Sequence, residues 1–322
     1  MNKHQKIIIT GAAGLVGQNL VLLLKEQGYT HLVAIDKDAT RLAHLKKLNP
    51  QVETIHADLS ENSVWDYHLA QAECVILLHA QITGLDESDF VKNNIRATEK
   101  ILEKIISYQV PYTIHISSSV VNSVADDFYT QTKLAQEKLF LASGVQGCVL
   151  RPTLMFGWFD PKHLGWLSTF MERMPIFPIP GHGKYLRQPL YSRDFCKIII
   201  AAMEQKPNNK IYNIVGQQQI HYIDMIYAIK RVRGLKTIIV KIPYWFFYTL
   251  LKVYAMFNNK PPFTAAQLTA LTAGDYFSGV DVESTFGVKT TDFHHALEET
   301  FNNAPHSVDA SNKENHGSNL KN

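Results

Sequence analysis

The stretch Ile7-Ile8-Ile9-Thr10-Gly11-Ala12-Ala13-Gly14-Leu15-Val16-Gly17 decides the fold. Three consecutive β-branched apolar residues read as a short strand buried on both faces, the habit of a parallel sheet. The glycines at 11, 14 and 17 permit a tight turn and close backbone approach. Leu15 to Glu26 reads as a helix, with Gly28 just past its end. Strand, glycine-rich turn and helix in that order aim free N–H groups and the positive end of a helix dipole at a phosphate. Leu32-Val33-Ala34-Ile35 reads as the next strand, ended by Asp36. A carboxylate there accepts hydrogen bonds from an adenosine ribose and repels a 2′-phosphate, which favours NAD over NADP.

Further along, Cys74 to Leu78, Thr113 to Ile116 and Val145 to Leu150 read as strands. Asn94 to Tyr108 and Tyr129 to Leu141 read as helices between them. This alternation predicts an α/β fold, a Rossmann-type doubly wound parallel sheet. After Arg151-Pro152 the texture changes, with prolines at 175, 178, 180 and 189 and glycines at 181 and 183. Residues 1–150 are therefore expected to form the nucleotide-binding domain, with the chain returning to it around 190–215. Residues 151–301 are expected to build mainly a smaller C-terminal substrate-binding lobe, with Asp194 to Met203 and Tyr222 to Val232 helical. Residues 302–322 are polar and expected to be a disordered tail.

The composition is globular, with 46% hydrophobic and 19% charged residues over 322. Thirty-two Lys+Arg against 29 Asp+Glu leave a net charge of +3, which makes no case for a nucleic-acid partner. Cys74, Cys148 and Cys196 form no Cys-x-x-Cys or zinc spacing. Reduced thiols in a cytoplasmic protein, without a metal site, are the expectation.

Tyr129-x-x-x-Lys133 places both side chains on one face of a helix. A lysine ammonium beside the phenol is expected to lower its pKa, so that Tyr129 exchanges a proton with a sugar or alcohol oxygen. Ser117-Ser118-Ser119 follows the Thr113–Ile116 strand, where a hydroxyl can hold the reacting oxygen.

With these residues together, the chain resembles the extended short-chain dehydrogenase/reductase superfamily, in its NAD-dependent epimerase/dehydratase family. The motifs are Thr10-Gly11-x-x-Gly14-x-x-Gly17, Asp36, Asp58-Leu59, His79-Ala80, Asn94-x-x-x-Thr98, the serine triplet, Tyr129-x-x-x-Lys133 and Arg151-Pro152-x-x-x-Phe156-Gly157. The resemblance implies that NAD is held by Gly11, Gly14, Leu15, Val16, Gly17, Asp36, Asp58 and Leu59. It extends that set to Leu78, His79, Ala80, Asn94, Tyr129, Lys133, Pro152 and Leu154. It makes Tyr129 the acid/base and maps the catalytic hydroxyl best to Ser118, with Ser119 a close second. It assigns Arg187, in Arg187-Gln188-Pro189, to the substrate's phosphates. Asn122-Ser123 stands where relatives have Tyr-Gly, and Phe156 replaces a common Tyr.

The implied activity is hydride transfer on a nucleotide-activated or lipid-linked sugar, by a protein whose default assembly is a homodimer. Two alternatives remain: an NAD(P)-dependent dehydrogenase or reductase of a membrane-linked or steroid-like alcohol, and a catalytically silent nucleotide-binding member. The aromatic segment 243–257, interrupted by Lys252, bears on that choice. It reads first as a core helix of the smaller lobe. An interfacial helix giving peripheral membrane contact, or a dimer contact, are the other readings.

Overall fold

The computed structural model describes residues 2–62, 65–123, 127–257, 265–273 and 277–305. At its centre lies a seven-stranded parallel sheet, made of β1 (Lys6–Thr10), β2 (Leu32–Asp36), β3 (Glu53–His56), β4 (Ala72–Leu77), β5 (Tyr112–Ile116), β6 (Gly147–Pro152) and β7 (Lys210–Ile214). Their spatial order is β7-β6-β5-β4-β1-β2-β3. The winding direction reverses between β1 and β4, where open α/β sheets form a crevice at the strands' carboxyl ends. Helices α1 (Leu15–Glu26), α2 (Ala39–Leu48), α3 (Ala97–Ser107), α4 (Phe128–Ala142) and α5 (Ser192–Gln205) lie in the connections.

The isoleucine run explains the layers. Ile7 and Ile9 pack in one core with Leu20 and Leu24 of α1 and Phe195 and Ile199 of α5. Ile8 joins Ile101 and Ile105 of α3 on the other face. All three isoleucines are fully buried, and each such burial is worth about 1.5–3 kcal/mol.

The smaller lobe surrounds a third core, which includes Phe156, Met171, Phe177, Ile226 and Leu297. Strand Ile176–Pro180 pairs in parallel with Ile238–Ile242, flanked by helix Leu164–Arg173, α6 (Tyr222–Val232), α7 (Tyr244–Phe257), α8 (Ala265–Ala273) and α9 (Phe293–Asn302). The chain returns to the sheet as α5 and β7, and it returns again later. Val282, Phe286 and Val288, expected in the smaller lobe, pack in the core shared by α1 and α5. Asp194 of α5 fastens this return, accepting from the Thr291 N–H at 2.6 Å and its hydroxyl at 3.0 Å.

Three sequence expectations need adjustment. The helix expected from Asn94 opens earlier, as a π turn over Val91–Arg96 leading into α3. The segment 243–257 is helical, but no residue of α7 is buried, so the core reading is overturned. The expected tail lies outside the described residues beyond 305, and α9 occupies its first position. Among the described residues, no helix is long and apolar enough to cross a membrane.

Gly17 sets the distance between α1 and the turn, because a Cβ there would stand 2.5 Å from the Ala12 carbonyl oxygen. Gly17→Ala should lower the urea unfolding midpoint. An unchanged midpoint would show that the turn can yield.

Candidate active site

The cleft opens at the reversal point. Gly11 has φ +63°, and a Cβ on it would lie 2.7 Å from the His79 backbone nitrogen. Only glycine lets the ends of β1 and β4 approach this closely. Gly14 caps α1 without a side-chain hydrogen bond, so the first-turn N–H groups keep their capacity for an anion. Leu15, Val16 and Gly17 line the cleft. At its far end, Asp36 accepts from the Ala13 and Asp38 N–H groups, both at 2.9 Å. Burial raises the Asp36 pKa against those two bonds. Asp58 and Leu59 line the same end. Asp58 accepts from the Ser60 N–H at 2.9 Å and pairs with Lys92 at 3.0 Å. The uncapped helix start, the close-packed Gly11 and the terminal carboxylate fit a dinucleotide.

The candidate catalytic residues meet on the opposite wall. Asp127 caps α4 by accepting from the Thr130 N–H at 2.8 Å, which starts the helix immediately before Tyr129. Tyr129 and Lys133 both line the cleft. Ser118, two residues past β5, is the hydroxyl that works against the rise of the Tyr129 pKa. Ser119 is buried at the start of a 3-10 turn. Ser117 lines the cleft itself, and its buried hydroxyl has no hydrogen-bond partner among the described residues.

The expected electrostatics are reversed. Burial raises the Tyr129 pKa, the Ser118 hydrogen bond opposes the rise, and Asp127 adds to it. Lys133 does not pull the phenol down, because Lys133 is itself starved of solvent. It is 1% exposed, and burial pushes its amine down to about 7, with Glu137 opposing. Glu137 is shared with Arg151, whose Nε donates to it at 3.0 Å.

A buried polar chain lies beneath this wall. Lys133 Nζ donates to the Ile116 carbonyl at 2.8 Å and to Gln136 Oε1 at 2.6 Å. An ammonium must meet the oxygen of the amide, so Gln136 Nε2 is left to donate to Thr98 Oγ1 at 2.8 Å. The Thr98 hydroxyl then donates to His79 Nε2 at 3.0 Å. That fixes the Nδ1–H tautomer, which donates to Thr10 Oγ1 at 2.9 Å. Burial, with Lys133, pushes the His79 pKa down to about 3. His79 is thus a neutral relay at the cleft floor. Gln136 was not read from the sequence, because it carries no motif and gains its role only from the burial of Lys133.

Other expected residues are placed differently. Asn94 does not line the cleft. Its side chain accepts from the Gln81 N–H at 2.6 Å and donates to the Gln81 carbonyl at 3.1 Å and Thr132 Oγ1 at 3.0 Å. It therefore positions the loop after β4, where Leu78, His79 and Ala80 do line the cleft. Met155 takes the lining place expected for Pro152 and Leu154. Arg187 is 6% exposed and stands in the smaller lobe, donating to the Leu271 carbonyl at 2.5 Å. Lys162, which no motif flagged, reaches the cleft from the loop after Phe156. Among the described residues, no three His, Cys, Asp or Glu side chains are grouped to hold a metal ion.

The depressed Lys133 pKa has a measurable sign. Above about pH 7 the unfolded chain binds more protons at this position than the folded chain, so the site makes stability rise with pH. Between about pH 7 and about pH 9 the wild-type thermal midpoint should gain on that of Lys133→Met. Parallel pH curves for the two proteins would refute the assignment.

Comparison with known proteins agrees with this geometry. A UDP-glucose 4-epimerase from Thermotoga maritima superposes with a TM-score of 0.74 at 20% identity, over 92% of this chain and 97% of that one. A trifunctional UDP-glucose 4,6-dehydratase/UDP-4-keto-6-deoxy-D-glucose 3,5-epimerase/UDP-4-keto-L-rhamnose-reductase of Arabidopsis thaliana is 26% identical over 72% of this chain. This chain spans only 40% of that relative's length. A 3 beta-hydroxysteroid dehydrogenase/Delta 5-->4-isomerase of Mycobacterium tuberculosis is 27% identical over 56% of this chain and 53% of its own. The model of the NAD dependent epimerase/dehydratase family matches residues 7–215, the span from β1 to just past β7. With the glycine turn, Asp36 and the Ser118–Tyr129–Lys133 wall all inside that span, the chain belongs to the NAD-dependent epimerase/dehydratase family.

Proposed function

We propose that this chain converts a nucleotide-activated sugar by Tyr129-assisted hydride transfer and works as a homodimer. The observation that carries the reading is the placement of Tyr129 and Lys133 in the wall of a cleft that Gly11, Gly14 and Gly17 also line. Gly11, Gly14, Leu15, Val16 and Gly17 would hold the pyrophosphate of NAD, and Asp36 would hold the adenosine ribose. When bound, NAD supplies a hydride acceptor and donor at its nicotinamide.

The chain's own residues handle the proton. A phenol held above its ordinary range is protonated at neutral pH, so Tyr129 is poised first as an acid. To serve as a base it must be given hydrogen bonds that favour phenolate, and a substrate hydroxyl beside Ser118 adds one. Tyr129 would first release its own proton to solvent, and the phenolate Oη would then take the sugar's hydroxyl proton and return it when the carbonyl is reduced. Lys133, titrating near neutrality and buried below, holds the cleft floor through Ile116 and Gln136. Arg187 would be the guanidinium for the substrate's phosphates, and to meet them it would have to turn from the Leu271 carbonyl.

A second reading, a dehydrogenase acting on a lipid-like alcohol, is favoured by one observation, the exposed aromatic helix α7 of the smaller lobe. Mass spectrometry of small molecules released on denaturation separates the two. Retained NAD supports the closed redox cycle of an epimerase or dehydratase, and an empty protein supports the dehydrogenase. Tyr129→Phe should keep NAD binding and lose about 100-fold or more in turnover of a UDP-sugar. Unchanged turnover in that variant would end the mechanism.

A further inference from the structure

Helix α7 is apolar almost throughout, yet none of its residues is buried. Phe246, Leu250, Val253 and Phe257 fall at i, i+4, i+7 and i+11, one stripe of the helix, and are 49%, 49%, 46% and 85% exposed. Trp245 and Met256, further round the same side, are 70% and 78% exposed. Phe247 and Leu251, on the opposite side, are only half-buried. A helix this hydrophobic is normally enclosed by protein or by lipid.

The charge around it is one-sided. From Met225 to Gly274 the sequence contains no Asp or Glu and seven Lys and Arg, in a chain whose overall excess is only three. Of these, Lys236, Lys241 and Lys252 are exposed. Arg231 and Arg233 are engaged with His294 and Glu172. Strand Ile238–Ile242, between Lys236 and α7, is itself apolar and turned outward, with Ile238 61% exposed beside its register partner Ile176 at 50%.

We propose that α7 is an interfacial anchor that docks the substrate lobe on an anionic lipid bilayer. The aromatic and aliphatic stripe would enter the headgroup zone, and the lysines would meet acidic headgroups. At 14 residues α7 is too short to span the bilayer. The charge distribution argues against a second copy of the chain as the occupant. A two-fold contact through this face would bring Lys236, Lys241 and Lys252 of two copies together, while Glu172, the carboxylate nearby, is already paired with Arg233. Docking is also coupled structurally to the substrate side. Tyr244 Oη of α7 lies 3.3 Å from Thr269 Oγ1 of α8, and the Leu271 carbonyl of α8 accepts from Arg187.

The test is co-sedimentation of the full-length protein with phosphatidylcholine vesicles, with and without phosphatidylglycerol. Binding is expected only with the anionic lipid and should weaken as salt is raised. Lys241→Gln and Lys252→Gln should each weaken it about fivefold. Trp245→Ser combined with Phe257→Ser should weaken it at least about tenfold without lowering the thermal midpoint, since both side chains are exposed. Failure to bind anionic vesicles would overturn the proposal. So would conversion of a dimer to a monomer by the Trp245/Phe257 double variant, which would make α7 a protein contact. Tyr129→Phe should bind vesicles as the wild type does, so failure here is distinguishable from failure of the catalytic reading.

Discussion

A lysine amine with almost no access to water has to be satisfied from within, and the region below the cleft is arranged around that demand. Lys133 cannot keep its ordinary proton affinity in this setting, nor can it be left without acceptors. The Ile116 carbonyl and Gln136 supply them. Once Gln136 has turned its oxygen to the lysine, the direction of every later bond is decided, through Thr98 and His79 to Thr10. Thr10 is the last residue of β1, immediately before Gly11. One buried nitrogen on α4 is thereby tied, by side chains alone, to the start of the phosphate turn. The wall that carries Tyr129 and the glycine turn share one hydrogen-bonded floor.

The fold was legible because its determinants are local. Ile7-Ile8-Ile9 has no polar face, so it has to lie between two layers, and the glycines at 11, 14 and 17 state where the chain turns. Tyr129 and Lys133 were legible for the same reason, four residues apart on one helix. What was not legible depends on neighbours distant in sequence. The sign of the Tyr129 shift follows from burial, which spacing does not report. Asn94 looked like a cofactor contact because of its motif, yet the π turn swings its amide onto Gln81 and Thr132. Ser117 and Ser118 are adjacent, and only the end of β5 decides which faces the cleft and which meets the phenol. For 243–257, composition identified the helix but not its surroundings, since an aromatic sequence suits a core and an interface equally well.

The two lobes are different kinds of structure. The sheet domain is over-determined, with a long apolar core on each face of the sheet. The smaller lobe holds one core and carries its most hydrophobic helix on the outside. The part of the chain that resembles its relatives most is the part that holds the cofactor. The part that leaves the family match, beyond residue 215, holds the run from Met225 to Gly274 that has no Asp or Glu.

The repeated return of the chain to the sheet has a mechanical consequence. The polypeptide passes from β6 into the smaller lobe, back through α5 and β7, out again to α6 and α7, and back once more at Val282–Val288. Asp194 clamps that last return. A lobe hung on one linker can swing as a hinge, but a lobe stitched through several crossings cannot rotate without disturbing the core at each of them. Substrate must therefore enter by movement of surface loops, and any tug on the outer helices is felt as a shift in loop position, not as an opening of the whole molecule.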